Sequence, residues 1–193
     1  MKLHLRCANA SDYKAIKSLI ELSARTLGSK DYSLEQIEGA LKAAFGLDKQ
    51  LITDQTYFVV ETERSIVGCG GWSYRQTLFG SDAEQNRNSN RINAESGAAK
   101  IRAFFVSPVF SRMGIGSMIL HKCEAEASGA GFRKLELMAT LPGKHLYEKH
   151  GFVAGIPIQY PLDSHLTIEF VPMHKEISVL ARSWRCQVLK FPE

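Results

Sequence analysis

Tyr147 and the run Ser111-Arg112-Met113-Gly114-Ile115-Gly116-Ser117 are the residues whose types and spacing carry chemistry. The run follows the apolar segment Phe104-Phe105-Val106 and precedes a stretch of helical periodicity, so it turns a strand into a helix. Gly114 and Gly116 lack a Cβ and let a ligand approach the backbone, while the amides of Met113 to Ser117 stand at the start of the helix without partners inside it. These amides and the positive end of the helix dipole favour an anion, and Arg112 adds a charge-assisted bond to a phosphate oxygen. Any strand-to-helix turn also favours glycine and basic residues, so the glycines alone leave both readings open. A Walker loop is excluded, because Ser117 follows Gly116 directly with no lysine before it. A dinucleotide fingerprint fails as well, since Ile119 stands where its third glycine belongs.

A second segment, Lys134-Leu135-Glu136-Leu137-Met138-Ala139-Thr140, leads into Leu141-Pro142-Gly143-Lys144-His145-Leu146-Tyr147-Glu148-Lys149-His150-Gly151-Phe152. Together the two segments resemble the GNAT superfamily of acetyl-CoA-dependent N-acetyltransferases. Phe104-Phe105-Val106-Ser107-Pro108 is similar to the strand that precedes that family's Arg/Gln-x-x-Gly-x-Gly/Ala turn, and Leu146 to Phe152 matches its Leu-Tyr-x-x-x-Gly-Phe. The resemblance runs over residues 2–175, with the two motifs in the right order and one helix and one strand between them.

The resemblance implies an α/β fold with a mixed, mostly antiparallel central sheet, a splayed central strand pair and helices on both faces. It implies acetyl-CoA as co-substrate and no metal. The pyrophosphate falls to Arg112, Met113, Gly114, Ile115, Gly116 and Ser117, and the pantetheine arm to backbone groups of Phe105 and Val106. Ser111 occupies the motif's first position, usually Gln or Arg, with the arginine one step later. Thr140 replaces the family's frequent coenzyme-contacting asparagine, keeps a hydroxyl, and is also suited to cap the helix that follows.

Acetyl transfer from a thioester to an amine requires a polarised carbonyl, a deprotonated amine and a protonated leaving thiolate. The family's usual route is direct attack in a ternary complex, with a primary amine of a small molecule or peptide as acceptor. Tyr147 matches the phenol, at the start of the short helix, that protonates the thiolate; packing against the pantetheine is its other reading. The family's strand glutamate is absent, because the corresponding stretch is Lys100-Ile101-Arg102-Ala103. His145 and Glu136 are conceivable bases, solvated side chains are the plainer reading, and water relays stay open. Arg75 and Arg102 either line the acceptor cleft and favour an anionic substrate or belong to an outer face. A non-catalytic acetyl-CoA sensor or regulatory module would keep the same cofactor residues.

The elements that must position these residues are legible in outline. Residues 2–7 alternate as a strand, and Ser11 is expected to cap a helix with Ile16, Leu19, Ile20 and Leu27 on one face. Ser33 and Gln36 form a capping box for a second helix that buries Leu34, Ile37, Leu41 and Ala44 and stops near Gly46. Residues 56–61 and 65–75 read as a hairpin whose Gly68, Gly70 and Gly71 suit close approach of a ligand or another backbone. Residues 76–98 form a long polar loop, either a substrate lid or an insertion without function. Strand 100–106, a helix with Ile115, Ile119, Cys123 and Ala127 closed by Gly129 and Gly131, strand 133–140, a short helix from Pro142, and strands 152–158 and 166–173 complete the order.

With 193 residues, 45% of them hydrophobic, the chain can bury one core, so residues 1–175 are expected to be a single N-acetyltransferase domain. Residues 176–193 form a C-terminal extension whose Trp184, Val188, Leu189 and Phe191 suit packing on the domain or on a partner subunit, as in a homodimer. Cys7, Cys69, Cys123 and Cys186 stand singly, which speaks against zinc or a redox dithiol and for a reduced, cytoplasmic protein. There is no apolar run for a membrane span, and the charge within residues 1–6 comes too early for a secretory signal. A net charge of +4, spread along the chain, suits anionic ligands but makes no nucleic-acid footprint.

Overall fold

Alternation along strand β2 (Tyr57–Glu61) sets the architecture. Tyr57 and Val59 enter one apolar cluster, Phe58 and Val60 another, and all four are fully buried. A strand apolar on both faces belongs inside a sheet that is covered on both sides. The computed structural model, which describes residues 2–77 and 88–177, has that arrangement. Its strands are β1 (His4–Cys7), β2, β3 (Ile66–Ser73), β4 (Ala99–Val106), β5 (Lys134–Thr140), β6 (Val153–Ala154), β7 (Ile158–Pro161) and β8 (Thr167–Glu176). They form one sheet in the order β1-β2-β3-β4-β5-β8-β6, with β7 also on β8. Every pairing is antiparallel except β4 with β5.

Helices α1 (Tyr13–Leu27), α2 (Leu34–Ala43) and α3 (Lys49–Thr53) cover one face, through Ile16, Ile20, Ile37, Ala40 and Leu51. Helices α4 (Ile115–Gly129) and α5 (Leu141–Lys149) cover the other, through Ile115, Ile119, Cys123, Ala127 and Tyr147. The mixed, mostly antiparallel sheet with helices on both faces is therefore the fold that the motifs imply. Burying these apolar faces is what holds α3 in place, since five residues are too few for a helix to persist alone.

Several boundaries differ from the sequence reading. Asn9, not Ser11, is the cap: its side chain accepts from the Ser11 amide and closes a capping box with Asp12 around a single 3-10 turn before α1. Asparagine and serine are equally good caps, and the turn decides between them. The Ser33 and Gln36 box forms as expected. Leu34, however, is 70% exposed and Ala40 takes its place in the core, and α2 ends at Ala43. Residues 152–158 do not make one strand. They break into β6 and β7 around Gly155-Ile156-Pro157, where proline has no N–H to give a ladder. Strand β8 runs on to Glu176, and the Ile177 amide bonds the Arg133 carbonyl at 2.8 Å.

The base of the 76–98 loop is paired rather than open. Arg75 bridges Arg91, and the Gln76 and Thr77 amides reach the carbonyls of Asn90 and Asn88. The segment most suited to a lid, residues 78–87, lies outside the described residues, as do residues 178–193 of the C-terminal extension. Among the described residues no helix is long and apolar enough to cross a membrane.

Candidate active site

A bulge in β4 arranges the centre of the site. Ala99 and Ile101 lie on the α4 and α5 side of the sheet, and simple alternation would send Ala103 and Phe105 after them. Instead Ala103 and Phe105 lie on the α1 side, and Phe104 and Val106 on the α4 side. The parity changes because Arg102 pairs with Gly71 and Phe105 with Cys69, leaving two residues of β4 opposite one of β3. Ala103 carries the bulge at φ 54, a left-handed conformation that costs an L residue about 1–2 kcal/mol. The buried Tyr57 hydroxyl donates to its carbonyl at 2.8 Å and holds it there.

The consequence is a Phe104 ring set against Tyr147, with centroids 6.1 Å apart and planes at 62°. Gly70 makes the room, since a Cβ there would stand 2.6 Å from Phe104 Cδ2. Close approach at this glycine thus admits a side chain of the protein itself, seated next to the candidate acid.

Strands β4 and β5 open into a wedge. They pair only at Ala99 with Leu135 and Lys100 with Glu136. From there β5 stays with β8 as far as Thr140 opposite Phe170, while β4 stays with β3 as far as Val106 opposite Gly68. The edge of β4 from Arg102 onward therefore has no strand partner across the gap. Backbone groups on such an edge are available to a ligand.

The turn after β4 stands at the mouth of the wedge. Pro108–Phe110 makes one 3-10 turn, Arg112 and Gly114 take left-handed conformations (φ 64 and 82), and α4 begins at Ile115. The first bond into the helix runs from the Met118 amide to the Gly114 carbonyl at 2.9 Å, so the amides of Ile115, Gly116 and Ser117 have no acceptor inside it. Arg112 is exposed and makes no ion pair among the described residues. A Cβ built on Gly114 meets nothing within 4 Å, so the space over the turn is open.

Helix α5 forms the opposite rim. Thr140 caps it, its hydroxyl oxygen accepting from the Gly143 amide at 3.2 Å. The Leu141 amide is held by the Tyr32 hydroxyl at 2.8 Å, and the same hydroxyl donates to the Glu169 carbonyl at 2.8 Å. Tyr147 is not at the start of the helix but seventh of its nine residues. Its ring is clamped between Phe104 and Phe152, and its hydroxyl makes no hydrogen bond among the described residues. Burial, and next the field of Cys123, push the phenol well above its ordinary pKa.

The turn with unpaired amides, the unpaired strand edge and the helix that carries Tyr147 border one wedge, and the model of the acetyltransferase (GNAT) family matches residues 19–152. The chain belongs to that family. No curated protein matches it. Among solved structures, it is similar to the GCN5-related N-acetyltransferase of Rhodopseudomonas palustris, at 16% identity and a TM-score of 0.67, over 92% of this chain and 97% of that one. The PaiA N-acetyltransferase of Thermoplasma acidophilum, in complex with coenzyme A, follows at 14% identity and 0.62, over 92% and 100%. The ribosomal-protein-S18-alanine N-acetyltransferase of Escherichia coli matches at 14% identity and 0.57, over 96% and 100%. At these identities the likeness is one of fold.

Within this GNAT fold Phe105, Val106, the 112–117 turn and Thr140 border the wedge, Tyr147 is buried beside it between Phe104 and Phe152, and other residues singled out in the sequence lie elsewhere. Arg102 is buried on the α1 side and donates to Asp48 at 2.5 Å. Arg75 grips Asp54 through Nε and Nη2 at 2.6 and 2.8 Å. Both guanidiniums are engaged by carboxylates, so neither supplies the charge on which the expectation of an anionic substrate rested. Glu136 is paired with Lys100 at the closed end of the wedge, and His145 is exposed. Sequence reasoning missed the Ala103 bulge and the seat of Phe104. The neighbouring residues carried no signal for it, since Phe104 and Phe105 in succession take opposite faces with or without a bulge.

Proposed function

We propose that this protein is an N-acetyltransferase that moves the acetyl group of acetyl-CoA to a primary amine of a small molecule or peptide by direct attack in a ternary complex. The observation that carries this reading is the convergence of the open β4 edge, the free amides at the start of α4 and helix α5, which carries Tyr147, on one wedge. The open space over Gly114 fits a pyrophosphate, and the unpaired edge of β4 fits an amide-bearing pantetheine arm. Bound acetyl-CoA supplies an acetyl group activated as a thioester, with a thiolate as leaving group.

The chain's own residues do the rest. Arg112 and the amides of Met113, Gly114, Ile115, Gly116 and Ser117 hold the diphosphate charge. Backbone groups of Phe105 and Val106 bond the arm and direct an amide at the thioester oxygen, where negative charge develops. Thr140 keeps its hydroxyl proton for the ligand, because its oxygen is the part engaged by Gly143. Tyr147, which holds its proton at neutral pH, passes it to sulfur as the C–S bond breaks and the C–N bond forms. The proton lost by the amine returns to the phenolate through solvent. Residues 1–175 act as one domain, and the free thiols of Cys7, Cys69 and Cys123 suit a reducing cytoplasm.

The test is calorimetric titration of acetyl-CoA and coenzyme A into the purified chain, followed by thiol release with a panel of amines, amino acids and peptides. Micromolar binding and amine-dependent thiol release are expected. Absence of binding removes the enzyme reading, and binding without thiol release from any amine turns it into the sensor reading.

A further inference from the structure

His150 follows the last residue of α5, and its ring lies along the first turn of α4. Its Nε2 is 2.8 Å from the Ser117 hydroxyl oxygen, and the ring meets His121 edge-on at 4.8 Å. Ser117 is the third residue of α4, so the imidazole touches the side chain of the very turn assigned above to the pyrophosphate.

We propose that His150 is a positioning residue for that turn: its Nε2–H donates to Ser117, which directs the hydroxyl proton outward to the anion, and cofactor binding draws a proton onto the ring. The inference rests on the pyrophosphate assignment. A serine hydroxyl has one proton to give. If the ring accepts it, Ser117 presents only lone pairs to a phosphate and repels it. If the ring donates, Ser117 is free to donate outward, and the nearby negative charge then favours the imidazolium.

In the free protein burial, and after it His121, hold the His150 pKa below its usual value, with Lys175 and Lys149 acting in the same direction and Glu124 opposing them. These are the charged groups facing the ring: His121 and Glu124 from α4, Lys149 from α5, and Lys175 from β8, which pairs with Glu124 at 2.7 Å. The sign follows. A ring whose pKa rises on binding makes binding tightest below its free-state pKa, and the gain is lost as pH rises through the bound-state value. A rise of one unit in the ring's pKa on binding corresponds to about tenfold in affinity.

The experiment is titration of coenzyme A into the whole chain by calorimetry between about pH 6 and about pH 8, in buffers of different ionisation enthalpy, to count protons taken up. Coenzyme A carries a phosphate monoester that itself titrates at about pH 6, so the deciding quantity is the difference between the native chain and His150→Gln. Glutamine keeps an N–H donor but cannot titrate. The native chain is expected to take up more protons and to lose about tenfold more affinity across the range than His150→Gln. Ser117→Ala, which keeps the imidazole and cuts its link to the anion, is expected to lose the extra uptake too. Equal proton counts in the native chain and His150→Gln, with binding intact, overturn the role of His150. No binding of coenzyme A to the native chain overturns the pyrophosphate assignment beneath it.

Discussion

A Cβ on Gly116 would stand 2.9 Å from Leu146 Cδ2, so the first turn of α4 and the helix that carries Tyr147 meet where there is no room for a further side chain. The neighbouring contact, Ser117 to His150, joins the same two helices. The glycine turn and the candidate acid are thereby held as one unit.

Gly116→Ala tests how stiff that unit is. The obstructing atom is the end of a flexible leucine, and alanine favours a helix over glycine by about 0.5–1 kcal/mol. Denaturant unfolding should move by less than about 1 kcal/mol, while coenzyme A affinity, read by calorimetry, falls by about threefold to tenfold as α5 is displaced. Unchanged affinity would mean that α5 can shift without disturbing the turn.

Gly71→Ala is expected to behave differently. Its Cβ would stand 2.4 Å from the Thr56 carbonyl oxygen, which accepts from the Trp72 amide at 3.0 Å. Backbone in a sheet interior has no rotamer to give, so a loss of more than about 3 kcal/mol in urea unfolding, or failure to fold, is the expected outcome.

Tyr147→Phe removes a hydroxyl without changing the clamp formed by Phe104 and Phe152. Steady-state assays should give a turnover lower by about 10²-fold with acetyl-CoA affinity within about twofold of the native value. Undiminished turnover would remove Tyr147 as the acid. The raised phenol pKa also predicts that no loss of rate below about pH 10 arises from its ionisation.

Arg102→Met isolates a structural charge pair. Asp48 is fully buried and Arg102 nearly so, and the pair is joined at 2.5 Å. Leaving a buried carboxylate without its arginine costs about 3–5 kcal/mol, to be measured by denaturant unfolding. Acceptor KM in the surviving folded fraction should be unaltered, since Arg102 faces away from the wedge.

Acid should loosen the β1 edge first. The Arg6 guanidinium, bonded to Asp12 at 2.7 and 2.9 Å, holds that carboxyl below the ordinary range, against the opposing effect of burial. A depressed carboxylate pKa contributes stability above its unfolded value of about 4, and that contribution is lost as pH falls through the folded value. Urea midpoints followed downward from about pH 6 should therefore drop, and Arg6→Gln should flatten the drop. A parallel fall in both proteins would place the acid sensitivity elsewhere.

What the residues determine by themselves is local. The glycine turn, the capping box of Ser33 and Gln36, the helical face of Ile115, Ile119, Cys123 and Ala127, and the spacing that sets Tyr147 before Gly151-Phe152 all depend on backbone conformation or periodicity over a few positions, and each was legible in order along the chain. Residues whose partners lie far away were not. Arg102 meets Asp48, Glu136 meets Lys100, and His150 meets Ser117 only because the sheet order and the packing of α4 against α5 bring them together. The Ala103 bulge belongs with these. Nothing in its neighbours demands a left-handed alanine, and Tyr57, 46 positions away, holds it. The chemistry on offer could therefore be read from spacing, whereas the identity of the side chains that face the wedge depended on register and long-range contacts, which only the tertiary structure decides.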